Sequence, residues 1–95
     1  KARAARDRTA RRKATAALPE ADRALFGALR ARRAEIARAQ NLPPYVIFHD
    51  RTLLELAALR PANRSQMAGV AGIGQAKLDR YGSIFLEVIA EHARG

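Results

Sequence analysis

Residues 69–82, GVAGIGQAKLDRYG, constrain the fold of this chain more than any other stretch. Two glycines two apart, Gly72 and Gly74, lie between a short helical end and a new helix whose first turn carries Lys77. Such a spacing demands a tight reversal between packed helices, because glycine alone reaches the backbone conformations that the turn needs. A turn of this kind also aims backbone N–H groups past a helix N-terminus, where an anion such as a phosphate is favoured. The glycines alone fit both a plain helix–helix turn and a phosphate cradle.

Elsewhere the pattern is helical. Alanine and arginine, both strong helix formers, dominate, and no stretch alternates apolar and polar residues as a half-buried strand does. The 48% hydrophobic content of the 95 residues is largely alanine, so Leu, Ile, Val and Phe must supply one modest core. The expectation is a single all-α domain. With no cysteine, disulfides and thiolate metal sites are excluded. No apolar run approaches a membrane span and no signal-peptide core opens the chain, so a soluble, intracellular protein is expected.

The first helix is expected from near Pro19 to about Gln40, with Glu20 and Asp22 at its positive end. Leu25, Phe26, Leu29, Ile36 and Ala37 share one face. Arg23, Arg30, Arg32, Arg33 and Arg38 are read onto the solvent side, and Gly27 is explained by close approach of a neighbouring helix. Asn41-Leu42-Pro43-Pro44 stops the helix. Tyr45-Val46-Ile47-Phe48 then reads as a short apolar turn with Phe48 and one of Val46 or Ile47 in the core.

Asp50 reads as the N-cap of a second helix, from Arg51 to about Leu59, that buries Leu53, Leu54, Leu56 and Leu59. Asn63 and Gln66 form a capping-box pattern before Met67 and Val70. After the glycine turn a fourth helix is expected from Gln75 to Arg80. A break follows at Tyr81-Gly82, and a last helix capped by Ser83 turns Ile84, Phe85, Val88 and Ile89 inward. Five short helices make a bundle with a helix-hairpin-helix-like glycine turn.

Charge is unevenly placed. The net is +9, which points to a polyanionic partner. Residues 1–13 hold seven basic groups against Asp7 alone; the rest of the chain holds eleven basic and eight acidic groups, a net of +3. Residues 1–18 lack a large apolar side chain before Leu18 and are read as a flexible basic linker or tail ahead of a domain at 19–95.

The segments LFGALRARRAEIARAQNLPPYVIFHDRTLLELAALRP and MAGVAGIGQAKLDRYG closely resemble the HRDC domain, the helicase and RNase D C-terminal module, over roughly Ala21 to His92. The resemblance rests on the LxxLRxxR helix, the PPYVIF turn, the DxTL helix start and the GxGxxKxxxYG hairpin, in that order, and is greatest to bacterial RecQ domains. It implies a five-helix, non-catalytic unit that binds single-stranded or branched DNA on behalf of a RecQ-type helicase active in DNA repair and recombination. UvrD-like helicases and ribonuclease D are the other parents it implies, the last with RNA as ligand. ATP and magnesium are then expected only in the parent motor, with no cofactor in this domain. The expected setting is the bacterial cytoplasm at the nucleoid, and the isolated domain is expected to be a monomer.

Tyr45 matches a DNA-contacting aromatic of the bacterial RecQ pattern. Independently, a tyrosine held behind two prolines can stack on an unpaired base. Lys77 matches the hairpin lysine, and with Gly72, Gly74 and Arg80 it is a candidate phosphate contact. Arg30, Arg33, Arg38 and Arg51 are candidates to extend a basic surface, and Tyr81 is expected to pack on the first helix. His49 and His92 lack the carboxylate or cysteine companions of a metal site, and the hairpin lacks the GK[ST] ending of a P-loop. The competing reading is a regulatory module that packs on its own helicase core or on a partner protein.

Overall fold

A computed structural model describes residues 18–94; the expected linker at 1–18 lies, apart from Leu18, outside the described residues. Five helices follow: α1 (Glu20–Gln40), α2 (Pro44–Ile47), α3 (Asp50–Leu59), α4 (Arg64–Ala68) and α5 (Gln75–Arg94), with no strand among the described residues. Helix α1 packs against α2, α3 and α5, and α4 packs on α5. Leu18, just before α1, is partly buried against the core.

Helix α1 begins behind Pro19, whose carbonyl accepts from the Arg23 amide at 3.0 Å. It ends at Asn41 in the left-handed conformation (φ 55°), with the Leu42 amide bonded to Ala37 O and the Asn41 amide to Arg38 O. That is a Schellman closure, which satisfies the carbonyls the last turn leaves open. Pro43 and Pro44 then start α2, a single turn closed by Val46 N–H to Pro43 O at 3.0 Å.

One turn cannot hold itself in water. What holds α2 is Ile47 and Phe48, both fully buried, each contributing about 1.5–3 kcal/mol. Phe48 meets Phe85 edge-on at 5.1 Å and Tyr81 at 6.2 Å between centroids. Val46 remains exposed, so Ile47 is the core residue of that pair.

Helices α1 and α3 run antiparallel and are braced by ion pairs near both ends: Asp22 to Arg60 at 2.8 Å, and Arg33 to Asp50 at 2.6 Å. Asp50 is therefore not the N-cap. It is the first residue of α3, His49 holds the cap position, and the Asp50 carboxylate serves Arg33. Arg33 in turn is buried rather than on the solvent side, and it also donates to Phe48 O at 2.9 Å. Leu59, expected in the core, is exposed at the end of α3.

Asn63 caps α4 as expected by accepting from Gln66 N–H at 2.9 Å. The reciprocal bond differs: Gln66 Oε1 accepts from Ala62 N–H instead of the cap residue's own amide. The expected break at Tyr81-Gly82 is absent, and α5 runs straight through it with no cap at Ser83. Gly82 is buried in mid-helix, where an added Cβ would lie 3.0 Å from Leu78 Cδ1 and 3.8 Å from Met67 Sδ. Close packing, not a turn, is its reason. For Gly27 the reverse holds, since none of the described residues lies within 4 Å of its missing Cβ and none of the described helices approaches it closely.

Candidate nucleic-acid interface

Tyr45 stands on the outer face of α2 and is 59% exposed, while Ile47 and Phe48 on the inner side anchor the same turn. Its ring lies near-parallel to that of His49, at 6.0 Å between centroids and 27° between planes. His49 is itself exposed at the start of α3. This pairing was missed from the sequence because residues 45–48 were read as an irregular turn. The pairing is not a helical i,i+4 contact: α2 ends at Ile47, and the extended backbone of Phe48 and His49 carries the imidazole back beside the Tyr45 ring.

Lys77 is half-buried, and its Nζ lies 6.0 Å from the centroid of the Phe48 ring. The lysine thus leans from α5 toward the turn that carries Tyr45, within range of a cation–π contact. Arg80, one turn further along α5, is exposed at the edge of a shallow groove of about 320 Å³ between α1 and α5. Ile36, Ala39, Gln40 and Tyr81 line that groove. Tyr81 is buried and reaches Gln40 with its hydroxyl at 3.1 Å, so it packs on α1 as expected.

Arg30, Arg38 and Arg51 are exposed and form no ion pair among the described residues; Arg30 lies 5.8 Å from the Phe26 ring centroid. Arg33 is the one member of the candidate set that the fold withdraws from the surface. Arg33 is paired with Asp50, and three other arginines are balanced as well: Arg32 by Glu35, Arg60 by Asp22 and Arg64 by Asp79.

The glycine turn is occupied by its own protein. Gly72 has φ +89°, and a Cβ there would collide with the Thr52 hydroxyl. That hydroxyl donates to Ala71 O at 3.2 Å, and Ala71 N–H donates to the Glu55 carboxylate at 3.2 Å. Ile73 N–H bonds Val70 O. On the far side of the turn Asp79 accepts from Gln75 and Arg64. Two carboxylates therefore flank the turn, and two of its amides are already used. Beside Gly74 the space is open. Among the described residues no three His, Cys, Asp or Glu groups gather as metal ligands, and no helix is long and apolar enough to cross a membrane.

Among the described residues, the outward features of this helical bundle are an aromatic turn and scattered exposed cations. The HRDC domain family model matches residues 22–89, and the chain belongs to that family. Over 71 residues it is 42% identical to the ATP-dependent DNA helicase RecQ of Haemophilus influenzae, covering 75% of this chain and 12% of that protein. Over 79 residues it is 42% identical to RecQ of Bacillus subtilis, covering 83% and 13%. It is also 37% identical over 70 residues to the DNA helicase UvrD2 of Mycobacterium tuberculosis, covering 74% and 10%. Among solved structures, HRDC domain 3 of D. radiodurans RecQ superposes with a TM-score of 0.75 at 31% identity, covering 78% of this chain and 97% of that one. The five-helix architecture is thus that of the family. The HRDC domain is an accessory unit of RecQ helicases, and the chain spans about an eighth of the length of the RecQ relatives named here.

Proposed function

We propose that this domain is a non-catalytic DNA-binding accessory of a bacterial RecQ-type helicase, contacting single-stranded or branched DNA through Tyr45 during repair and recombination. The observation that carries the reading is an exposed aromatic ring on a proline-started turn whose other face is locked into the core. A ring held this way loses little freedom on stacking against an unpaired base, which is worth about 1–3 kcal/mol. Lys77, which leans toward the same turn, and the exposed Arg80, Arg30, Arg38 and Arg51 are the candidate phosphate contacts. ATP and magnesium act in the parent motor and not here. DNA rather than RNA is the ligand, in keeping with the DNA helicases among its relatives.

An NMR titration of the whole chain with a short single-stranded DNA, repeated on a chain beginning at Pro19, tests this. Shifts centred on Tyr45 and its neighbours that survive removal of residues 1–18 are expected. With about three to five phosphates neutralised, the log–log salt slope is roughly −2 to −4. Shifts confined to residues 1–13 would assign the attraction to those basic residues and refute a folded DNA-binding face.

A second reading rests on a different observation. Leu59 is 65% exposed and Leu42 and Val46 are also uncovered, while residues 14–95 carry only +3. Exposed apolar side chains at both ends of α3 and a low net charge fit packing on the helicase core or on a partner protein. On that reading DNA shifts are weak and deletion of the domain alters the ATPase rate of the motor.

A further inference from the structure

His49 occupies a position where local chemistry favours another residue. The N-cap of a helix prefers Ser, Thr, Asp or Asn, whose side chains accept from the first free amides. His49 makes no such bond at the head of α3. Its backbone does the capping work, with its carbonyl accepting from Thr52 at 3.0 Å and Leu53 at 3.2 Å. The imidazole is left to lie beside the Tyr45 ring, near-parallel at 27° and exposed to solvent. A local rule set aside at an exposed position, with the side chain aligned to another exposed ring, marks a functional surface.

The surroundings suit a polyanion. Asp50, the adjacent carboxylate, is neutralised by Arg33 at 2.6 Å, and Arg51 on the other side of it is exposed without an ion pair among the described residues. Neither ring belongs to the core, and both side chains are exposed. The backbones of both residues are fixed, one by α2 and one by the start of α3.

We propose that Tyr45 and His49 form one two-ring platform that stacks consecutive unpaired bases of a single DNA strand, with His49 as a second stacking surface in its own right. This deepens the functional reading above and rests on it. Neutral imidazole suffices, since stacking needs the ring and not the charge.

The test is fluorescence anisotropy of the whole chain with a labelled oligothymidylate. The variants are Tyr45→Ala, His49→Ala, His49→Gln and His49→Phe, each checked for an unchanged melting temperature. His49→Ala is expected to weaken binding about five- to tenfold, His49→Gln to match it, and His49→Phe to restore affinity to within about twofold. If Tyr45→Ala binds poorly while His49→Ala binds like the parent, the platform is Tyr45 alone; the inference falls and the functional reading stands. If Tyr45→Ala itself binds like the parent, both fall together. If His49→Ala is weak and His49→Phe fails to restore it, the imidazole acts through polarity, and a stacking role is overturned.

Discussion

Two turns dominate the sequence of this domain, and they differ in where their polar groups go. The turn at α2 sends its apolar side chains, Ile47 and Phe48, inward and leaves Tyr45 facing solvent. The glycine turn sends its backbone inward: Ala71 O takes the Thr52 hydroxyl and Ala71 N–H takes Glu55, both from α3. A turn anchored by side chains keeps a free outer face. A turn anchored through its own amides has fewer of them left for a ligand, and the Glu55 carboxylate beside it disfavours a phosphate. The comparison favours the tyrosine over the glycines as the proposed binding surface.

The largest effect is expected at Gly72. Replacing it with alanine forces a Cβ onto a left-handed backbone and into the Thr52 hydroxyl. Strain and overpacking together cost about 2–4 kcal/mol. Urea unfolding measures it, and DNA affinity per folded molecule stays as it was. A stable Gly72→Ala variant that has lost DNA binding would reverse the assignment of the two turns.

Arg33→Met comes next and probes the clamp behind the α2 turn. The substitution removes the bonds to Asp50 and to Phe48 O. Breaking a buried pair from one side costs about 3–5 kcal/mol, but the Asp50 side chain is 27% exposed and recovers part of its hydration. A loss of about 2–3 kcal/mol follows, read from the urea midpoint. Because Arg33 does not reach the surface, the salt slope of DNA binding is unchanged; a slope shallower by about 0.7 would show that it meets a phosphate after all.

Tyr45→Ala separates binding from stability. The exposed ring contributes little to the core, so unfolding shifts by less than about 0.5 kcal/mol. DNA binding weakens by about 1–3 kcal/mol if the ring stacks on a base. Melting of the domain without a specific binding defect would make Tyr45 a structural residue and leave the α2 turn no freer than the glycine turn.

The all-α class, the order of the helices and most of the core were legible because leucine and phenylalanine spacing and the Pro43-Pro44 stop are local signals. Asn63 was placed correctly for the same reason, since its capping bond to Gln66 spans three residues. Arg33 was misplaced although its position was informative: it lies four residues after Leu29 and four before Ala37, within the buried stripe of α1. Residue type was weighed above spacing. Gly82 misled differently, since a glycine signals either a turn or close packing, and only the neighbours Leu78 and Met67 decide which. The fit of the glycine turn to α3 was invisible, because Thr52 and Glu55 lie 19 and 16 residues away from the Ala71 groups they bond.

The smallest expected effect gives the finest test of the comparison. Glu55→Gln keeps a carbonyl able to accept from Ala71 N–H but removes the charge beside the turn. An exposed charge-assisted bond becomes a neutral one, and stability falls by less than about 1 kcal/mol. If the turn is purely structural, DNA titration of the variant still centres on Tyr45, with affinity within about twofold of the parent. A turn with latent anion affinity behaves otherwise: the loss of one negative charge strengthens DNA binding and brings new shifts at Gly72 and Gly74, which follow the Ala71 amide that Glu55 holds. The second outcome would make the carboxylate a gate on a phosphate site and restore the glycine turn to the binding surface. The two turns would then act together, with bases on Tyr45 and the backbone at the hairpin.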